Sequence, residues 1–294
     1  MKKIIEIFSL TLLSIFLFSG CENEKPVYDG PDYIMFSDSL YLIPVEQNDE
    51  FIEIPISATR SCSYDRTVAV EIIDKESNAI EGVHYEIESN TVTIPAGELA
   101  TSFKVRGHYE NVGVEDSLGF HIRLLVDKTH QWDVYGVDAD VVMQKVCPFD
   151  IHDFEGWCTI TSSYINQYMK ETDMRLIRTE VDPEEENTII MKNYFYDGYD
   201  VKIKFLTEDP LRPDIEMEDQ VFGPTSIPFE YVWGDGTIRM YQPPMYTSYY
   251  STCEHFIFQF MTLYVETVGT VGTFFNAVKW ISDDEAEKLK REGY

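Results

Sequence analysis

The sequence predicts an all-β protein of two domains, and three features carry that expectation. Apolar residues recur at every second position through most of the chain. Gly, Pro, Asn and Asp cluster between these runs, where turns belong. Past residue 32, only the C-terminus carries the start and stop signals of a helix. The expected arrangement is an immunoglobulin-like sandwich over residues 33–147, then an antiparallel meander over 148–294 ending in a short helix. Residues 1–20 and 21–32 precede these as an export signal and a tether.

The signal reads from the first residues. Met1-Lys2-Lys3 is basic, residues 7–18 are apolar apart from Ser9, Thr11 and Ser14, and Phe18-Ser19-Gly20-Cys21 follows. The run is shorter than the ~20 residues a spanning helix needs. Ser19-Gly20-Cys21 resembles the lipobox of bacterial lipoproteins, with Phe18 where that motif usually has Leu, Val or Ile. The resemblance implies cleavage before Cys21, acylation of Cys21 and membrane contact through that lipid. The alternative is an ordinary cleaved signal in which Cys21 takes no part.

Cleavage removes Lys2, Lys3 and Glu6, moving the formal charge from −29 to −30 and leaving 274 residues. Such a surplus of acid excludes nucleic acid as a partner, because phosphates are held by clustered Lys and Arg. It equally opposes adsorption to an anionic membrane face. Residues 22–32 carry charge, two prolines and a glycine without apolar period, as a tether does. Glu22 and Glu24 resemble the acidic tract that sends some Bacteroides-type lipoproteins to the outer face of the outer membrane, which implies a cell-surface location.

The strand period starts at Tyr33. Ile52, Ile54 and Ile56 alternate with Glu53 and Pro55, and Val68, Val70 and Ile72 with Ala69 and Glu71. Val92 and Ile94 sit between threonines, Phe103 and Val105 between polar residues. Phe120, Ile122, Leu124 and Val126 follow, then Ala139, Val141 and Met143. With an edge segment at 33–44, these make about seven antiparallel strands, each half covered by a core.

Glu81-Gly82-Val83-His84-Tyr85, Thr91 to Glu98 with Pro95-Ala96-Gly97-Glu98, Phe103-Lys104-Val105, Glu115-Asp116 and Phe120 to Leu124 follow in the order of a Calx-β sandwich. The resemblance covers about residues 50–126. Some members of that family bind calcium at one end. Asp74, Glu81, Glu115, Asp116, Asp138 and Asp140 are oxygen donors of the right kind, but residues 108–111 lack the paired aspartates of those members. No metal site is therefore expected, and the sandwich reads as a rigid spacer.

In the second domain, apolar segments are expected to form strands at 157–164, 174–181, 188–196, 201–206, 215–221, 229–233, 237–241, 253–265 and 273–281. Gly234-Asp235-Gly236 marks a hairpin. Gly156-Trp157 resembles the start of lipocalin-like barrels, so a barrel is favoured slightly over a second sandwich. Ser282-Asp283-Asp284-Glu285 is a capping box, Lys288, Lys290 and Arg291 suit the negative end of the helix dipole, and Gly293 can stop the helix. Signal, sandwich and β-rich domain in this order resemble a group of Bacteroides-type surface lipoproteins. Residues 247–253, 271–274 and 280–287 carry that likeness, which implies an address and an architecture but no activity.

Of the cysteines left after cleavage, Cys62, Cys147, Cys158 and Cys253, an exported chain permits disulfides. Cys147 and Cys158, near the domain junction, are the favoured pair; four free thiols are the alternative. No nucleophile motif, zinc motif or phosphate loop occurs, and the six histidines are scattered singly, so neither catalysis nor a cofactor is expected. His121 and His255 are expected inside strands.

The candidate ligand-binding residues are aromatic: Trp233, Tyr241, Tyr246, Tyr249 and Tyr250, around the stiff loop Gln242-Pro243-Pro244-Met245. Flat sugar faces stack on such rings, and neighbouring amides and hydroxyls bond sugar hydroxyls. Against this stands simple packing, with Phe229, Tyr231 and Trp233 sharing a buried strand face. The expected role is non-catalytic surface binding, of a glycan by preference. A structural or adhesive subunit that binds a cell-envelope protein is the first rival. A carrier of a small apolar ligand, in a lumen lined by Phe256, Phe258 and Phe260, is the second.

Overall fold

A computed structural model describes residues 28–48, 50–132 and 136–294. The signal, Cys21 and the tether up to residue 27 lie outside the described residues. Among the described residues, no helix is long and apolar enough to cross a membrane.

Among the described residues, the first domain is a sandwich of nine strands rather than about seven. Strands β1 (Ile34–Phe36), β3 (Ile52–Ala58), β7 (Ala100–Gly107) and β5 (Tyr85–Ile87) form one sheet in that order. The other runs β2 (Leu40–Val45), β9 (Asp138–Lys145), β8 (Leu118–Leu125), β4 (Arg66–Ile72), β6 (Thr91–Ile94). One pair departs from the antiparallel expectation: β2 lies parallel to β9, Leu40 opposite Asp140. No hairpin constrains this first-with-last pairing, so either direction was open to it.

The alternation read from the sequence sets the inner faces. Ile54, Ile56, Phe103 and Val105 meet Ile94, Ile122, Leu124 and Val141, all fully buried. Tyr85 stacks on Phe120 at 4.0 Å. Gly97 has φ +87° and Glu98 N–H donates to Pro95 O (3.0 Å), the tight turn its sequence predicts. Arg66 fixes the start of the domain: its guanidinium reaches Asp32 (2.8 and 3.1 Å), Arg60 O and Glu98 O.

The second domain is a closed barrel, which settles the choice between barrel and second sandwich. Its strands are β10 (Gly156–Ser162), β11 (Arg175–Val181), β12 (Thr188–Lys192), β13 (Val201–Phe205), β14 (Ile215–Glu216), β15 (Gln220–Pro224), β16 (Thr237–Tyr241), β17 (Tyr249–Ser251), β18 (Phe256–Val265) and β19 (Gly269–Trp280). The ladder runs β14-β13-β12-β11-β10-β19-β18-β16-β15, with β17 on the remaining half of the β18 edge, all antiparallel. Two seams close it. Ile215 N–H donates to Ser248 O (3.0 Å) and Tyr250 N–H to Pro213 O (2.8 Å), joining β14 to β17. The Gln220 side chain joins β15 to β13 through Lys202.

Several expected segments are corrected. The 215–221 run is split into β14 and β15, and the 188–196 run stops at Lys192, with Tyr194 and Phe195 turning into the core. Residues 229–233 form no strand; they belong to a loop between β15 and β16. Gly234 and Gly236, both at positive φ, end the long loop that joins β15 to β16, so the hairpin expected there starts from β15 and not from residues 229–233. His255 sits in the turn before β18, whereas His121 is in β8 as expected.

Helix α1 (Ser163–Tyr168), capped by Ser162 Oγ accepting from Tyr164 N–H (3.0 Å), plugs one end of the barrel with Tyr164. Phe154 fills the other end against Phe205, Tyr250 and Trp280. Helix α2 (Asp283–Glu292) has the expected cap, Ser282 Oγ accepting from Glu285 N–H (3.3 Å), and stops at Gly293 in the left-handed region. Lys290 Nζ lies 3.8 Å over the Trp157 ring, which holds α2 against β10.

The disulfide joins Cys147 to Cys253, not to Cys158. Cys158 lies in β10 with its side chain turned into the barrel core, fully buried, and burial pushes its thiol far up from the usual range. Cys147 follows β9 and faces the β17–β18 turn, so the bridge ties the end of the sandwich to the barrel across 106 residues of sequence.

Candidate functional site

Strand β18 fixes what the barrel shows to solvent. Ile257, Gln259 and Met261 point inward and are fully buried. The period of two then turns Phe256, Phe258 and Phe260 outward, where they are half-buried. These three rings therefore do not line a lumen. The interior holds Tyr164, Tyr194, Phe195 and Phe222, whose rings pack on one another.

Within that core a polar cluster holds Gln259 in place. Gln259 Oε1 accepts from Tyr194 OH (2.5 Å) and from Asn276 Nδ2 (2.9 Å), and Asn276 Oδ1 accepts from Ser162 Oγ (2.5 Å). Burial drives the Tyr194 phenol well above its ordinary range, so it stays a protonated donor.

The outward phenylalanines extend into an aromatic face. Tyr246 stacks on Phe260 at 4.8 Å, Tyr249 on Phe258 at 5.7 Å, and Phe275 from β19 on Phe258 at 5.9 Å. Tyr246, Tyr249 and Phe275 are 49%, 40% and 45% exposed, high for rings of that size in contact with one another. Ala277, paired with Phe258, keeps the centre of the face low. The supports are rigid: Ser248 Oγ accepts from Phe260 N–H (2.9 Å), Ser163 Oγ accepts from Phe275 N–H (3.1 Å), and Tyr246 N–H closes a turn onto Pro243 O.

Of the five residues singled out from the sequence, the structure brings two together here, Tyr246 and Tyr249. Tyr241 packs edge-on against Tyr264 further along the sheet, half-buried. Trp233 is at the α1 end, stacked on Phe229 at 5.3 Å, which in turn meets Tyr168. With Tyr231 it is exposed, so the shared buried strand face expected for residues 229–233 does not exist. Tyr250 belongs to the core: it packs on Phe205, its OH donates to Leu206 O (3.2 Å), and burial lifts its phenol to about 12. Phe275 is the site residue the sequence did not single out, and Phe256, Phe258 and Phe260, expected in a lumen, stand on the outer face instead. The spacing Phe256, Phe258, Phe260 signals one face of a strand but not which face.

Beside this surface a cleft of about 510 Å³ separates sandwich from barrel. Residues 46–48 and Val114 form its sandwich wall, and Pro210, Pro213 and Tyr249 its barrel wall, with the Cys147–Cys253 bridge between.

Three of the sandwich acids singled out from the sequence are engaged by neighbouring groups. Asp138 binds Arg123, Asp140 Oδ1 lies 2.9 Å from His121 Nδ1, and Asp116 Oδ2 accepts from Gly113 N–H (2.6 Å). Among the described residues, no three His, Cys, Asp or Glu side chains converge as metal ligands do.

Residues 134–292, more than half of the chain, match the model of a family described as Domain of unknown function (DUF4984). No curated protein matches the chain. Among solved structures, it is similar to a protein of unknown function from Bacteroides ovatus at 11% identity, over 84% of this chain and 89% of that one, with a TM-score of 0.35. A putative carbohydrate binding protein from Bacteroides ovatus is similar at 13% identity over 83% of this chain and 67% of that one, TM-score 0.32. The Calx CBD1 domain in its apo form is similar at 19% identity over 40% of this chain and 98% of that one, TM-score 0.32. These likenesses are remote in both sequence and superposition.

Proposed function

The chain belongs to the DUF4984 family, and from that premise we propose that it is a non-catalytic binding protein whose barrel holds a glycan on its outer aromatic face. One observation carries the reading: six rings, Tyr246, Tyr249, Phe256, Phe258, Phe260 and Phe275, lie outside a filled barrel on rigid strands. Contiguous exposed aromatics are costly in water and are kept where something covers them. A sugar ring supplies C–H faces for stacking, while Tyr hydroxyls at the rim bond its hydroxyls. Pre-formed rings lose little freedom on binding.

The address comes from the N-terminus. Cleavage before Cys21 and its acylation would anchor the protein in the outer membrane, facing outward, with the sandwich between lipid and barrel.

A glycan-array screen tests the function, using the chain from Lys25 onward with and without EDTA, beside Tyr246→Ala/Tyr249→Ala. Binding that survives EDTA and is lost in the folded double variant supports the aromatic face. Undiminished binding by that variant sinks it. A second reading, adhesion to a cell-envelope protein, is favoured by Met245, 87% exposed at the rim, because flexible thioethers suit protein surfaces more than sugars. Pull-down of one envelope protein, abolished by Phe258→Ala, with an empty glycan array would select it.

A further inference from the structure

The cleft between the domains is continuous with the aromatic face, because Tyr249 and Phe256 border both. Its volume, about 510 Å³, falls among those of small-molecule sites. Phe149, Pro210 and Pro213 make its floor and barrel wall apolar. The two charged side chains that reach it are already engaged: Glu46 Oε2 accepts from Asn48 Nδ2 (2.7 Å), and Lys145 Nζ donates to Tyr109 O (3.0 Å) while lying over the Tyr109 ring. What remains toward the opening is neutral. Gln47 and Gln144 of the sandwich and Thr252 of the barrel make no side-chain hydrogen bond among the described residues.

That lining selects by chemistry. A chain of net charge −29 repels anions, and a cation would need carboxylates the cleft does not present free. Uncharged amides and a hydroxyl above apolar walls suit a neutral polyol, whose hydroxyls both donate and accept. The walls come from different domains, and the Cys147–Cys253 bridge holds them at a fixed separation.

We infer that this cleft is a second subsite, which takes the end of a neutral oligosaccharide whose body lies on the aromatic face. The sandwich then supplies one wall of the site and is more than a spacer. This rests on the glycan reading of the aromatic face and adds a consequence to it: affinity grows with oligosaccharide length until the cleft is filled.

Calorimetry on the chain from Lys25 onward tests this with neutral cello-, xylo-, manno- and malto-oligosaccharides, from disaccharide to octasaccharide. The variants are Gln47→Ala/Gln144→Ala in the cleft and Phe258→Ala on the face, both checked for native circular dichroism. The expected result is a gain of about tenfold from short to long members of the preferred series, roughly 1.4 kcal/mol. The cleft variant should lose that gain yet bind short members as the wild type does. A length profile in the cleft variant identical to wild type overturns the subsite and leaves the face standing. Binding that survives Phe258→Ala but falls in the cleft variant overturns the glycan reading of the face and, with it, the cleft as a second subsite. No binding of any series by the wild type overturns both.

Discussion

The side-chain amide of Gln220 stands in for a missing strand pair: its Oε1 accepts from Lys202 N–H (2.8 Å) and its Nε2 donates to Lys202 C=O (2.9 Å). Strand β15 is one end of the barrel ladder and β13 lies next to its other end, β14; β13 and β15 share no backbone strand pairing among the described residues. An edge left open here would expose unpaired backbone groups. Gln220→Ala removes both bonds and should destabilise the protein by about 1–2 kcal/mol. The urea midpoint should fall with an unchanged slope, and the Lys202 amide should exchange faster. Native protection of that amide in the variant would show that the seam closes without Gln220.

The Cys147–Cys253 bridge predicts a thiol map. In the native protein, the half-buried Cys62 should be alkylated before Cys158, which reacts only after unfolding, since it is buried and its thiolate is disfavoured. Non-reducing digestion should recover the peptides of Cys147 and Cys253 linked. The bridge spans 106 residues, a loop for which chain entropy alone gives about 4–5 kcal/mol, an upper limit for domains that fold separately. Cys147→Ser/Cys253→Ser should therefore lower the melting temperature and open the 146–150 linker to protease. A Cys147–Cys158 peptide in the digest would contradict the fold at this point.

Gln259 shows where the sequence stopped being legible. Alternation located β18 correctly, but hydrophobicity favours placing Phe256, Phe258 and Phe260 inside, and the structure does the opposite. The reason is the polar cluster: Gln259 is affordable inside only because Tyr194, from the β12–β13 connection, and Asn276, from β19, both reach it. Those partners are 65 and 17 residues away in sequence, and no local signal announces them. The sandwich was more legible, since its inner positions are uniformly apolar. Local signals also placed the α2 cap and the Pro95–Gly97 turn. Pairings of distant segments, β2 with β9 and Cys147 with Cys253, left no mark. Gln259→Leu leaves Tyr194 OH and Asn276 short of partners and should cost about 2–4 kcal/mol, in chemical denaturation, despite the more apolar side chain. A neutral or stabilising result would mean the cluster is dispensable.

Asp182 gives the protein an acid limb. Its side chain is buried just past β11, and the ion pair with Lys202 holds its carboxyl below the usual carboxylate range. A depressed native value contributes stability that is complete above the unfolded value, about 4, and fades as pH falls through the native one. The advantage of wild type over Lys202→Met should thus be constant from neutrality down to about pH 4 and disappear below the depressed value. Denaturation midpoints across that range check it; an advantage that persists in full at pH 2 would assign the Lys202 effect to packing.

Neighbouring residues of β18 offer the sharpest test of the outward aromatic face. Ile257 is fully buried in the barrel and Phe258 is half-buried outside it, one residue apart on opposite sides of one sheet. Ile257→Ala empties part of a packed core and should cost about 2–4 kcal/mol. Phe258→Ala uncovers the flanks of Tyr249 and Phe275 but opens no cavity, so it should cost about 1 kcal/mol or less, although it removes the larger side chain. Ranking by size alone gives the reverse order. If denaturation finds Phe258→Ala the more damaging of the two, the strand faces are inverted, and the aromatic face with its ligand reading falls with them.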